Sequence, residues 1–123
     1  KDSSVIFSFE KGVQAKNAKL TKTLLEKIGF ELAKMHEAGV AHGDFTTSNI
    51  LVNGKNVVII DFGLSVFSQD AEDLATDLVL FEKTVSPQEF QVFLGAYARK
   101  KKNSSAVFAR FREIKQRGRY VER

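Results

Sequence analysis

The chain has 123 residues, 43% of them hydrophobic and 28% charged, which is enough for one compact domain with a real core and not for two. It has no cysteine, so disulfides and thiolate metal sites are excluded, as a reducing compartment would allow. No apolar run nears the ~18–20 residues of a membrane span, and the few apolar residues after Lys1-Asp2-Ser3-Ser4 are not expected to form a signal peptide. Net charge is +4 but uneven: residues 99–123 carry ten Lys or Arg against two Glu, while residues 1–98 are net acidic. That balance predicts a basic C-terminal helix and tail, 99–123, either facing an anionic partner or simply solvated.

In chain order, Val5-Ile6-Phe7-Ser8-Phe9 reads as a short strand followed by Gly12. A helix is predicted from Thr21 to Glu37, because Leu25, Ile28, Leu32 and Met35 recur at three- and four-residue steps. Thr21 suits its start and Gly39 its end. A polar stretch, His42 to Asn49, precedes two apolar runs, Ile50-Leu51-Val52 and Val57-Val58-Ile59-Ile60. Asn53-Gly54 between them predicts a hairpin turn in which both residues accept positive φ. Three helices follow. One starts at Asp70 with Leu74, Leu78 and Phe81 inward. One is opened by the capping box Ser86-Pro87-Gln88-Glu89, with Phe90, Phe93, Leu94 and Tyr97 inward. One is capped by Ser104 and carries Val107, Phe108, Phe111 and Ile114. The expected fold is mainly α with one short β-hairpin.

The chemistry lies at the hairpin's open end. Asp44 and Asn49 precede the hairpin and Asp61 follows it, so pairing of the strands should bring all three together. Two carboxylates and an amide oxygen suit Mg²⁺, a hard cation that shares phosphate oxygens, and one carboxylate stays free to orient a hydroxyl nucleophile. The order His42-Gly43-Asp44, Asn49 and Asp61-Phe62-Gly63 has the spacing of the protein-kinase catalytic loop and D-F-G. His36, one turn from the end of the first long helix, is out of reach of the motif by spacing and reads as structural. His42 reads as a packing residue.

His42-Gly43-Asp44-Phe45-Thr46-Thr47-Ser48-Asn49 resembles the H-G-D-[LF]-T-T-S-N loop of the small atypical kinase subunit of the KEOPS (EKC) complex, which acts in threonylcarbamoyladenosine modification of tRNA. The resemblance runs from Phe7 to Arg117-Gly118-Arg119. It implies that the whole of 1–123 is the C-terminal lobe of a protein-kinase-like fold, with ATP and Mg²⁺ as cofactors. By position it implies a catalytic role for Asp44, metal ligation by Asn49 and Asp61, and adenine contacts by Leu51, Ile60 and the hinge residues Ser8 and Glu10. It further implies that Asp77 braces the catalytic loop; without the resemblance, Asp77 reads as an exposed helical charge. Arg117 and Arg119 would contact a threonylcarbamoyl transferase subunit, other KEOPS subunits or tRNA. The setting implied is cytoplasmic, and nuclear as well in a eukaryote, with no membrane.

Departures from regulated kinases are plain. Gly43 stands where they carry an Arg that reads a phosphorylated loop, Thr46 where they carry a lysine, and no A-P-E follows Gly63. Neither G-x-G-x-x-G nor V-A-I-K precedes Val5, and the only Met is Met35. The chain is therefore expected to be a fragment holding half a nucleotide site, and to be inactive by itself. Two readings stay open: the catalytic half of a serine/threonine kinase or ATPase, or a silent module that docks a transferase subunit or tRNA.

Overall fold

The computed structural model describes residues 12–121, with side chains through Gly118; the strand expected at Val5–Phe9 lies outside them. The elements in order are β1 (Val13–Gln14), a 3₁₀ turn (Ala15–Asn17), α1 (Lys22–Glu37), β2 (Val40–Ala41), a 3₁₀ turn (Thr47–Asn49), β3 (Ile50–Asn53), β4 (Asn56–Ile59), β5 (Val66–Phe67), α2 (Ala71–Glu82), α3 (Pro87–Lys100) and α4 (Ser104–Val121). The chain is mainly helical with small sheets.

α1 begins where the Thr21 hydroxyl accepts the Leu24 N–H at 3.2 Å, which satisfies one of the helix's orphan donors. Its buried stripe holds Leu25, Ile28 and Leu32 and also Leu24, Gly29, Ala33 and His36, with Met35 only half-buried. Gly29 sets the approach of α1 to α3, since a Cβ there would stand 2.5 Å from the Phe93 carbonyl oxygen. Gly39 ends the helix at φ 82°. Asp70 caps α2 by accepting the Glu72 N–H, and Ser86 and Glu89 form the reciprocal capping box of α3. Asn103, at φ 59°, turns the chain into α4. The core joins Phe45, Phe81 and Phe93, with the last two rings 4.4 Å apart between centroids, and Phe90 and Phe111 extend the cluster. Burying each such ring contributes about 1.5–3 kcal/mol.

Where the sequence predicts one hairpin, the structure has two sheets. β3 and β4 pair antiparallel as expected, and β1 adds to the other edge of β3. β2 pairs with β5, Val40 opposite Phe67 and Ala41 opposite Val66. Two-residue strands are too short to show a period, so their pairing comes from the packing around them. In the hairpin turn only Gly54 has positive φ, 63°; Asn53 instead stays in the ladder opposite Asn56. Among the described residues no helix is long and apolar enough to cross a membrane.

Candidate active site

The loop between β2 and β3 is anchored by His42, whose side chain is buried. The Asp44 N–H donates to its Nδ1 at 3.1 Å, so Nδ1 is an acceptor and the ring proton sits on Nε2. That Nε2–H donates to the Ile60 carbonyl at 2.8 Å, and the ring packs 5.1 Å from Phe62. One neutral imidazole thus ties the backbone of Asp44 to the residue before Asp61.

Asn49 closes the loop on itself. Its Nδ2 donates to the Asp44 carbonyl at 2.8 Å and to the Asp44 carboxylate Oδ2 at 3.0 Å. Both amide hydrogens are then engaged, which leaves Oδ1 as its open acceptor. The Ile60 N–H donates to the Asn49 carbonyl at 2.9 Å, one rung beyond the Ile50–Ile59 pair. Asp61 therefore leaves the sheet beside Asn49. It is exposed and held at φ 64°, a left-handed conformation that Asp tolerates better than most residues. Its carboxylate folds back over Gly63, with Oδ1 3.6 Å from where a Cβ would stand.

Gly43 locks the two segments together sterically. It sits at φ 92°, and a Cβ on it would lie 2.2 Å from the Leu64 carbonyl oxygen. No side chain fits there, so the arginine of regulated kinases has no room at this position.

Asp77 lies on α2, fully buried, with Oδ2 accepting the His42 N–H at 2.8 Å and Oδ1 accepting the Gly43 N–H at 3.0 Å. The reading of Asp77 as an exposed helical charge does not fit this burial. His36 corrects another expectation. Its Nε2 donates to Asp77 Oδ2 at 2.9 Å, so the residue is structural but not out of the motif's reach: one shared carboxylate connects it to the loop. A signal was present: His36 is four residues after Leu32 on the apolar stripe of α1, and a polar group buried there needs a partner.

Leu51 and Ile60 are half-buried. Strand alternation puts Leu51 on the sheet face opposite the buried Ile50 and Val52, and Ile60 continues that face two residues beyond Leu51's partner Val58. Arg117 is not part of this cluster. It lies on α4, where its guanidinium donates to Glu72 Oε2 of α2 at 2.8 Å, next to Arg110 on Glu72 Oε1. These two arginines, Arg117 foremost, hold the Glu72 carboxyl below its usual range, and Glu72 raises Arg110 in turn. Ser8, Glu10 and the Arg119 side chain lie outside the described residues.

The chain is similar to several curated proteins. It is 40% identical over 105 residues to an EKC/KEOPS complex subunit of Schizosaccharomyces pombe, covering 78% of this chain and 44% of that one. It is 36% identical over 106 residues to the EKC/KEOPS complex subunit bud32 of Dictyostelium discoideum, covering 80% of this chain and 42% of that protein. A probable bifunctional tRNA threonylcarbamoyladenosine biosynthesis protein of Methanothermobacter thermautotrophicus is 32% identical over 117 residues, 91% of this chain and 22% of its own length. The chain spans less than half the length of each of these relatives. Residues 9–114 match the model of the phosphotransferase enzyme family, and the chain belongs to that family.

Proposed function

We propose that this chain is the C-terminal lobe of an ATP-dependent phosphotransferase, a serine/threonine kinase or ATPase of KEOPS type that supports threonylcarbamoyladenosine modification of tRNA. The observation that carries this reading is the clamp of Asn49 on Asp44 with Asp61 one rung away. It is a cluster of hard oxygen donors held by backbone and buried side-chain bonds, beside a sheet face that bears Leu51 and Ile60.

The residues present fit Mg²⁺: the Asn49 Oδ1 left open by its amide bonds and the Asp61 carboxylate are oxygen donors of the kind this ion takes. When bound, the ion would neutralise charge on the phosphate oxygens. The chain's own residues do the positioning. Asp44 presents the carboxylate oxygen that Asn49 does not hold and orients a hydroxyl nucleophile toward the transferred phosphoryl group. Leu51 and Ile60 form an apolar floor for the adenine ring, and Ser8 and Glu10 are proposed as its hinge contacts. His42 and Gly43 keep the Asp44 and Asp61 segments in register, so little reorganisation is needed at the moment of transfer. Arg117 and Arg119 are proposed to meet a transferase subunit or tRNA.

The test is Asp44→Ala and Asp61→Ala in the full-length protein. Each removes positioning or charge stabilisation worth several kcal/mol of barrier, so ATP turnover should fall by about 10²-fold or more. Both residues sit on a partly open loop, so the circular dichroism and the melting temperature should stay near those of the parent. Unchanged turnover in either variant, with contaminating kinase excluded, would remove the enzymatic reading and leave a docking module.

A further inference from the structure

Asp77 receives its third hydrogen bond from His36, and that bond has a condition. His36 Nε2 faces a carboxylate oxygen at 2.9 Å, so it must carry the proton. In a neutral ring the other nitrogen, Nδ1, then has only a lone pair, and at that nitrogen stands the Tyr97 hydroxyl, 2.7 Å away. His36, Asp77 and Tyr97 are all among the fully buried side chains, and no buried side-chain polar atom among the described residues lacks a partner. Among the described residues the only donor offered to the Nδ1 lone pair is the phenol. Burial first, then the charges of Asp77 and Glu37, push the Tyr97 phenol far above its ordinary range, so it keeps its proton as a donor. Its ring is fixed by edge contact with His36 at 5.5 Å and by Phe93 and Phe108 on α3 and α4.

We propose that Tyr97 is a positioning residue of the catalytic loop: by donating to His36 Nδ1 it fixes the tautomer that donates from Nε2 to Asp77, and so holds the His42 and Gly43 amides that aim Asp44. The chain of contacts runs from α3 through α1 and α2 to the loop and joins residues 61 and 41 positions apart in sequence. Tyr97 belongs to no motif, and as one more apolar ring on the stripe of α3 it would read as core alone. The hydroxyl is the part that core packing does not require. The catalytic consequence rests on the phosphotransferase reading above, whereas the tautomer and its effect on the loop do not.

The experiment is Tyr97→Phe in the full-length protein, with Ile28→Val as a comparison that trims a core methyl and leaves every hydrogen bond in place. Three readouts are taken: the ¹⁵N shifts of the His36 ring, amide exchange at His42 and Gly43, and the steady-state kinetics of ATP turnover. In the parent the ring should be neutral with Nε2 protonated. Tyr97→Phe should shift the Nδ1 resonance and speed exchange at both amides by about tenfold, the loss of one buried hydrogen bond. It should also lower kcat by about three- to tenfold with KM for ATP unchanged, since the nucleotide's own contacts are untouched. Ile28→Val should leave all three as they are. A doubly protonated or Nδ1-protonated His36 in the parent overturns the proposal. So does a Tyr97→Phe protein whose amide exchange and kcat match those of Ile28→Val. If the parent shows no turnover, the phosphotransferase reading fails, and the ring nitrogens and the two amides still decide whether Tyr97 positions the loop.

Discussion

Replacing Asp77 by Asn keeps the shape of the side chain and changes only what it can accept. In the structure Oδ2 takes two donors, His36 Nε2–H and His42 N–H, and Oδ1 takes the Gly43 N–H. An amide has one oxygen. If that oxygen takes the Oδ2 position, two bonds survive and the new NH₂ faces the Gly43 N–H; the opposite flip loses two bonds. The first arrangement is the cheaper. It still replaces one charge-assisted bond by two donors facing each other, and it makes the remaining bonds neutral. Bonds to a charged group contribute about 1.5–3 kcal/mol, and a buried donor left unsatisfied costs about 1–3 kcal/mol. With no solvent access to Asp77, the variant should lose about 3 kcal/mol of stability. The assay is urea unfolding of the full-length protein and its variant at neutral pH, followed by circular dichroism, with amide exchange at His42 and Gly43 as the local readout. A loss below about 1 kcal/mol with unchanged exchange at both amides would refute the argument that this carboxylate braces the loop.

Gly43→Ala should be worse than a helix-surface change, because the residue must hold φ 92° and its methyl meets the Leu64 carbonyl at 2.2 Å. ATP turnover of the full-length protein should fall at least tenfold as the segment after Asp61 is displaced, and wild-type kinetics would show that this contact is not needed. Glu72 predicts a pH dependence. Its folded-state pKa is lowered, so its ion pairs with Arg117 and Arg110 stabilise the fold above the ordinary carboxyl range, and that contribution disappears as pH falls through the lowered value. The melting temperatures of Glu72→Gln and its parent should differ slightly at pH 7, less in high salt, and converge as the pH is lowered through the depressed carboxyl range. Arg117→Ala with Arg119→Ala should weaken binding of the proposed partner and, if that partner is tRNA, flatten the salt dependence by a slope of roughly two, while melting changes little because the Arg117 pair is exposed. Equal affinity of variant and parent across a salt series would leave these arginines as helix-surface charges.

The helices and the chemical motif were written in local sequence. Leu25, Ile28 and Leu32 set the face of α1. Thr21, Asp70 and the Ser86–Glu89 box set helix starts, because a cap needs only residues within a turn of one another. His42 to Asn49, a hairpin and Asp61-Phe62-Gly63 could be aligned by spacing alone, since the β3–β4 turn determines where its two ends meet. What the sequence left undetermined depends on contacts between distant segments. β1, β2 and β5 are pairs of residues whose partners are chosen by neighbouring packing. The Arg117–Glu72 pair exists because α4 crosses α2. Asp77 could be read from sequence as a solvated helix charge, and His36 as a structural residue out of the motif's reach. Both were decided only when α1, α2 and α3 closed around them and removed water as a partner, so that each buried polar atom had to find another inside the protein.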